Sequence, residues 1–546
     1  MRATRLITGT LLSMTAAFLF AVQVQVPVSA IAGAAGCSDL ASLVLPGAII
    51  TSATEVRDPF TVANGRNTLT VSAPFSFCRV ALRLTPSADS DVHAEVWLPA
   101  ADRWNGRFLG VGNGGLSGNI WFTSMIRPLR RGYAVAGSDL GHTAPNADWA
   151  LGHPEKLTDY AHRADHVTAV AAKAIVAAHY GQGPRFAYFH GCSNGGHQAL
   201  TEAQRYPDDY NGIIAGAPWN NWTDQVVEFA WRTQHVEQID KEKLPMITKA
   251  VVEQCGGRDG GAAGDRYLND PRVCQFDPKV LQCKGADSPT CLTAAEVDAV
   301  RQVYAGPSQD GRSLFPGFEP GSETAWSPGV GTFTTNLYRS MVYQSNTTWD
   351  VHNFNFTSDV DALHRALSPL IDSNRTDMSA FRSHGGKVLM WHGWTDTTLE
   401  PRESIRYYNR VVATNSAAAK GADPDRAQLA DTQTYFRLYM APGVNHCGGG
   451  LGPGSTFAYT MNNAEGLVDP EHDALSALER WVETGKAPDT FASSHMADGI
   501  VDRTRLLCAY PEVSRYRGTG DVNQPASFAC EDDWAGFKRD RAEATR

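Results

Sequence analysis

Arg185-Phe186-Ala187-Tyr188-Phe189-His190-Gly191-Cys192-Ser193-Asn194-Gly195-Gly196-His197-Gln198-Ala199-Leu200 is the stretch that decides the fold. Arg185 to Phe189 has the short apolar run of a buried strand, and Gly196 to Arg205 carries a helical pattern. Between them Gly191-Cys192-Ser193-Asn194-Gly195 fits G-x-S-x-G, the corner that throws a serine Oγ out where a general base can reach it. With fifty glycines in the chain the pentapeptide alone would be a weak signal, so its flanks matter. A strand before it and a helix after it are the context that the chemistry requires.

Hydrolases built on this corner place an acid and then a histidine on loops after later strands. Lys387-Val388-Leu389-Met390-Trp391-His392-Gly393-Trp394-Thr395-Asp396 is a hydrophobic strand that breaks into a loop ending in an acid. Thr434 to Met440 is a further strand, followed by the loop Ala441-Pro442-Gly443-Val444-Asn445-His446-Cys447-Gly448-Gly449-Gly450. The expected constellation is therefore Ser193 as nucleophile, His446 as general acid and base, and Asp396 as the carboxylate that holds the imidazole tautomer. Asp139 is the nearest rival acid, but it precedes the serine in the chain. Oxyanion donors are expected from the amide of Asn194 and from Gly114 or Gly115, in a glycine-rich early segment that lets backbone approach the ester.

Three of these stretches resemble the tannase and feruloyl esterase family, which also contains the enzyme that hydrolyses mono(2-hydroxyethyl) terephthalate. They are Gly191-Cys192-Ser193-x-Gly195-Gly196, Trp391-His392-Gly393-Trp394-x-Asp396-x-x-x-x-Pro401 and Pro442-Gly443-x-x-His446-Cys447-Gly448-Gly449-Gly450. Trp104 to Phe108 and Gly132 to His142 match further parts of the pattern. The resemblance implies an α/β-hydrolase fold with a large inserted lid domain and a small aromatic ester as substrate, hydroxycinnamoyl, galloyl or similar. It also implies pairing of the ten cysteines as Cys37 with Cys78, Cys192 with Cys447, Cys255 with Cys274, Cys283 with Cys291, and Cys508 with Cys530. For Cys192 and Cys447 geometry agrees, since a serine and histidine about 3 Å apart bring their chain neighbours together.

The N-terminus carries Arg2 and Arg5, an apolar run from Leu6 to Val28, and small residues up to Gly36, the layout of a signal peptide over 1–35. All ten cysteines follow it, and an even count in an exported chain argues for disulfides. A zinc site is the rival reading, and it lacks any C-x₂₋₄-C spacing. The chain of 546 residues, 42% hydrophobic, is long enough for one α/β core plus an insertion, while a net charge of −10 without a basic run argues against nucleic acid and anionic membranes as partners. Residues 36–218 and 384–546 are read as the catalytic domain, and 219–383 as the lid. Aromatic side chains crowd that block, most of them expected in its core and some along the site.

Cys255 to Asp270 has the oxygen-rich, glycine-turned look of a calcium loop. The resemblance implies a structural Ca²⁺ there, with Asp259 and Asp265 and carbonyls near Gly261 and Tyr267 as ligands, far from the chemistry. Gly256 in place of an acid and Arg266 in place of a glycine depart from the family's run, so a metal-free, disulfide-closed turn is the alternative. No organic cofactor is expected. Two other functions fit the same residues: a hydrolase with the same triad acting on an aliphatic ester or a peptide, and an inactive binding protein that retains the fold. The second would be expected to lose a triad member, and none is lost.

Overall fold

A computed structural model describes residues 34–544 apart from 58–59, 65–66, 72–74, 117, 144–145, 346–347, 415–422, 455–466 and 499. Residues 1–33 of the expected signal peptide lie outside the described residues. Ala35 is already part of the fold: its amide donates to the Ala178 carbonyl, and its carbonyl pairs with His179 Nδ1.

The main sheet has nine strands, which we number β1 (Ala48–Val56), β2 (Phe77–Leu84), β3 (Val92–Pro99), β4 (Arg107–Val111), β5 (Ala134–Ser138), β6 (Phe186–Cys192), β7 (Gly212–Gly216), β8 (Lys387–Gly393) and β9 (Phe436–Ala441). Their spatial order is β1-β2-β3-β5-β4-β6-β7-β8-β9. The first three are antiparallel to their neighbours, and from β5 onward every pairing is parallel. Parallel strands need covered faces, which explains why β5, β7 and most of β6 and β8 are buried along their length rather than alternating. Helix α1 (Ala164–Tyr180) is rich in alanine and ends at Gly181, whose left-handed φ of 73° suits a glycine at that position. Helix α2 (Asn194–Arg205) leaves the corner directly after Ser193.

Two apolar clusters cover the two faces of the sheet: one gathers α1 and α2, the other collects Tyr133, Tyr188, Trp391 and Trp481. This is the α/β-hydrolase architecture the sequence predicts, with β6 in the centre and the ends of β6, β8 and β9 on one rim.

Between β7 and β8 the regular alternation stops. Helix α3 (Trp222–Val236), α4 (Leu244–Cys255), α5 (Ala294–Ala305) and α6 (Ser358–Ile371) are the longest elements of the interval, joined by loops, shorter helical turns and one small ribbon. Val236, Leu244, Val300, Phe318 and Trp326 belong to a third apolar cluster confined to this block. Other parts of the block, Trp219, Trp222, Tyr338 and Phe354 among them, pack into the main core. Most of its aromatics are thus structural. After β9 come helix α8 (Ala474–Thr484) and the hairpin β10 (Thr490–Ala497) and β11 (Ile500–Cys508); helix α7 (Pro401–Thr414) lies between β8 and β9. Among the described residues no helix is long and apolar enough to cross a membrane.

Candidate active site

Ser193 sits at the corner between β6 and α2 with φ 65° and ψ −124°, a conformation that costs a non-glycine residue energy and is retained where surrounding structure enforces it. Here the enforcement is visible. The Ser193 amide donates to the Gly216 carbonyl at 3.0 Å, and the Ser193 carbonyl accepts from His197 at 3.1 Å and Trp219 at 3.1 Å. A Cβ on Gly191 would fall 2.2 Å from the Gly195 carbonyl oxygen, so strand and helix touch backbone to backbone across the corner. Nothing larger than glycine fits at Gly191, and at Gly195 a Cβ would press on the Asn113 carbonyl oxygen at 3.0 Å.

His446 lies on the loop after β9 and is partly exposed, as Ser193 is. Its Nδ1 donates to Asp396 Oδ2 at 2.7 Å, which leaves Nε2 as the ring nitrogen free for chemistry. The Cys192–Cys447 disulfide, with Cα atoms 5.8 Å apart, ties the residue before the serine to the residue after the histidine across a separation of 255 residues. No Ser193–His446 hydrogen bond forms among the described residues; contacts of this kind commonly tighten only around substrate. The other four disulfides pair as the resemblance implies.

Asp396 is buried and fully satisfied. Oδ1 accepts from the amides of Thr398 at 2.8 Å and Leu399 at 3.0 Å, and Oδ2 accepts from His446 and, at 3.1 Å, from His392 Nε2. Burial alone would push this carboxyl up, but the charge of His446 and the hydrogen bonds from His392 and His446 override it. The group is held well below the ordinary carboxylate range. Asp139, the rival acid, is engaged elsewhere with the His93 amide, the His93 ring and the Gly141 amide.

The oxyanion candidates converge as well. Asn194 is fully buried at the first turn of α2, and the hydroxyl of Tyr160 donates between its Oδ1 at 3.2 Å and the Gly115 carbonyl at 3.0 Å. Tyr160 therefore couples the serine helix to the early glycine loop. Gly115 has φ 54° and open space where a Cβ would sit, whereas Gly114 is pressed on the ring of Trp121.

The sequence assigns no role to three contributors: Tyr160, His392 and Arg232. Arg232 reaches from α3 of the inserted block and donates to the Thr397 carbonyl, next to the acid. Beside it the burial of Glu228 pushes that carboxyl up to about 7, against the opposing pull of Arg232. For Tyr160 and Arg232 the partners are distant in the chain, and for His392, four residues from Asp396, no spacing announces that the two imidazoles share one oxygen.

The 255–270 loop does not fit a calcium ion. Ca²⁺ takes six to eight oxygen ligands at about 2.3–2.6 Å. All four carboxylate oxygens of Asp259 and Asp265 instead accept from protein donors: Gly261 N at 3.1 Å and Asn269 N at 2.5 Å on Asp259, Ala262 N at 3.2 Å and Arg505 Nη2 at 2.9 Å on Asp265. The guanidinium from β11 supplies the positive charge. Gly261 acts through its amide, and Tyr267 through its ring. That ring packs against Gly443, three residues before His446, so the loop is not remote from the site. Among the described residues the one cluster of three metal-ligating side chains is Cys283, Asp287 and Cys291, and its two cysteines are bonded to each other.

Comparison with known proteins agrees with this geometry. The family model of tannase and feruloyl esterase matches residues 78–531. An uncharacterised esterase of Xanthomonas campestris pv. campestris is 37% identical over 546 residues, covering 93% of each chain. A probable feruloyl esterase B-2 of Aspergillus terreus is 33% identical over 490 residues, 85% of this chain and 88% of that one. The crystal structure of feruloyl esterase B from Aspergillus oryzae superposes with a TM-score of 0.83 at 29% identity, covering 91% of this chain and 99% of that one. The chain belongs to the tannase and feruloyl esterase family of esterases.

Proposed function

We propose that the protein is a secreted serine esterase that cleaves aromatic carboxylic esters, of the feruloyl esterase kind, through an acyl-enzyme. The observation that carries the reading is the Cys192–Cys447 bridge, which holds the Ser193 and His446 loops together while Asp396 takes Nδ1 and leaves Nε2 free. Ser193 Oγ attacks the ester carbonyl carbon as its proton passes to His446 Nε2. The carbonyl oxygen takes the negative charge and is met by the Asn194 amide and an amide of the Gly114-Gly115 loop. Collapse breaks the bond to the alcohol oxygen, which takes the proton from His446, and water repeats the sequence to release the acid. Asp396 remains a carboxylate throughout and stabilises the imidazolium.

The aromatic preference rests on the relatives named as feruloyl esterases. The segments 36–218 and 384–546 then form the catalytic domain and 219–383 its lid. Hydrolysis of methyl ferulate, methyl gallate and mono(2-hydroxyethyl) terephthalate by the purified protein tests the substrate class. The highest kcat/KM is expected on the ferulate. A preference for short aliphatic esters over all three would overturn the aromatic reading.

A further inference from the structure

Asp396 Oδ2 receives two imidazoles, and the serine reading uses only one of them. His392, the sixth residue of β8, is buried and lies on the same edge of the carboxylate as His446. Its Nε2 is 3.1 Å from Asp396 Oδ2 and its Nδ1 is 2.8 Å from Ser404 Oγ on α7, which is buried too. A carboxylate only accepts, so the proton between His392 and Asp396 sits on Nε2. In the neutral ring Nδ1 is then the acceptor, and the Ser404 hydroxyl donates to it. Ser404 thus fixes the tautomer of His392 much as Asp396 fixes that of His446.

We propose that His392 is a positioning residue of the esterase: through Ser404 and Nε2 it pins the second oxygen of Asp396 and limits the negative charge that Asp396 presents to His446. The inference rests on the serine esterase reading. Its physical content is a competition for one oxygen. A proton donor on Oδ2 draws electron density from the His446 contact, so removing it strengthens the Asp396–His446 attraction and favours the imidazolium. Because His446 must be neutral to accept the serine proton, the acid limb of kcat/KM then moves to higher pH. The carboxylate also loses one of its four anchors, and misplacement of a catalytic group by a fraction of an ångström lowers the rate. Other charged groups of the neighbourhood are bonded elsewhere: Arg232 of α3 to the Thr397 carbonyl, and Glu403 of α7 to Arg410. Glu400 is buried in the loop itself: its amide donates to Gln225 Oε1, its carboxylate accepts from the Arg402 amide, and burial holds that carboxyl above the usual range, as it does Glu228 beside Arg232. Arg272, over the Trp394 ring, is paired with Asp270 and Asp540.

The test is the pH profile of kcat/KM for His392→Leu, His392→Gln and Ser404→Ala, with circular dichroism as the check on folding. His392→Leu is expected to lose about tenfold to a hundredfold in kcat/KM with the acid limb displaced upward by about half a unit or more. Gln offers an N–H to Asp396 and an oxygen to Ser404, so His392→Gln should stay within about fivefold of the unmodified protein with its limb near the original position. Ser404→Ala should shift the limb in the same direction as His392→Leu, by less. An unshifted or lowered limb in His392→Leu, or equal damage from Leu and Gln, overturns the proposal. If His392→Leu does not fold, Ser404→Ala decides: an upward limb supports the proposal and an unchanged one overturns it. A fully active Ser193→Ala would remove the serine reading and this inference with it. An inert Ser193→Ala beside unshifted His392 and Ser404 variants removes only the inference.

Discussion

The corner at Ser193 and the loop at Asp259 look alike on paper, each rich in glycine and adjoined by a cysteine, yet they solve opposite electrostatic problems. At the corner the backbone is strained at Ser193, and on the proposed esterase reading its hydroxyl and the Asn194 amide face the place where negative charge develops. In the loop every carboxylate oxygen is already met by a protein donor, with Arg505 as the cation. On that reading one region keeps hydrogen-bonding capacity open toward substrate, whereas in the other the carboxylates already have protein partners. Composition alone does not separate the two; what separates them is whether the partners come from the segment itself or from a distant strand.

The largest effect should come from breaking the corner. Ser193→Ala and His446→Ala are each expected to lower kcat by about a thousandfold or more, and the double variant should lose little beyond either single, because the two groups act as a unit. Steady-state kinetics on methyl ferulate checks this; losses that multiply would mean that the residues act separately.

Next comes the bridge that joins the two catalytic loops. Replacing Cys192 and Cys447 together by Ala should reduce kcat by about a hundredfold even in protein that remains folded, since the bond's value is positional. The accompanying loss of stability is at most about 5 kcal/mol on the chain-entropy account. Unreduced peptide mapping that found Cys192 free, together with unchanged kinetics of the double variant, would break this half of the comparison.

The smallest effect on activity belongs to the loop. Arg505→Met leaves Asp265 without its cation in a largely buried setting, and the expected cost is about 3 kcal/mol of stability, read as a lowered Tm. Excess chelator should leave the Tm of the unmodified protein unchanged, and elemental analysis should find no stoichiometric calcium. A Tm that falls in chelator and recovers with added calcium would restore the ion to the loop. Because Tyr267 packs on Gly443, a modest fall in kcat for Arg505→Met would further sharpen the link between the two regions.

Legibility in the sequence followed the same division. Strand, corner and helix at 185–205 were readable because the motif and its flanks are contiguous and their spacing encodes the geometry. Asp396 and His446 were readable because each ends a strand of evident hydrophobic pattern, in the order that the fold imposes. His392 stood in plain view within Trp391-His392-Gly393-Trp394, but its role depends on Ser404 one helix later and on a shared oxygen, which no spacing reveals. Tyr160 and Arg232 were hidden for the same reason. What counts against the calcium expectation at Asp259 and Asp265 is a residue 240 positions away from Asp265. Oxygen-rich composition describes the acceptors of a loop and is silent about the donors that reach it from elsewhere.

The central claim is that Ser193 carries the acyl group, and rapid acid quench followed by mass analysis of the Ser193 peptide during turnover of an aromatic ester tests it most directly. The account predicts the mass of the substrate's acyl group on Ser193 and its absence from Ser193→Ala. An adduct on another residue, or turnover by Ser193→Ala above about a tenth of the original kcat, would contradict it.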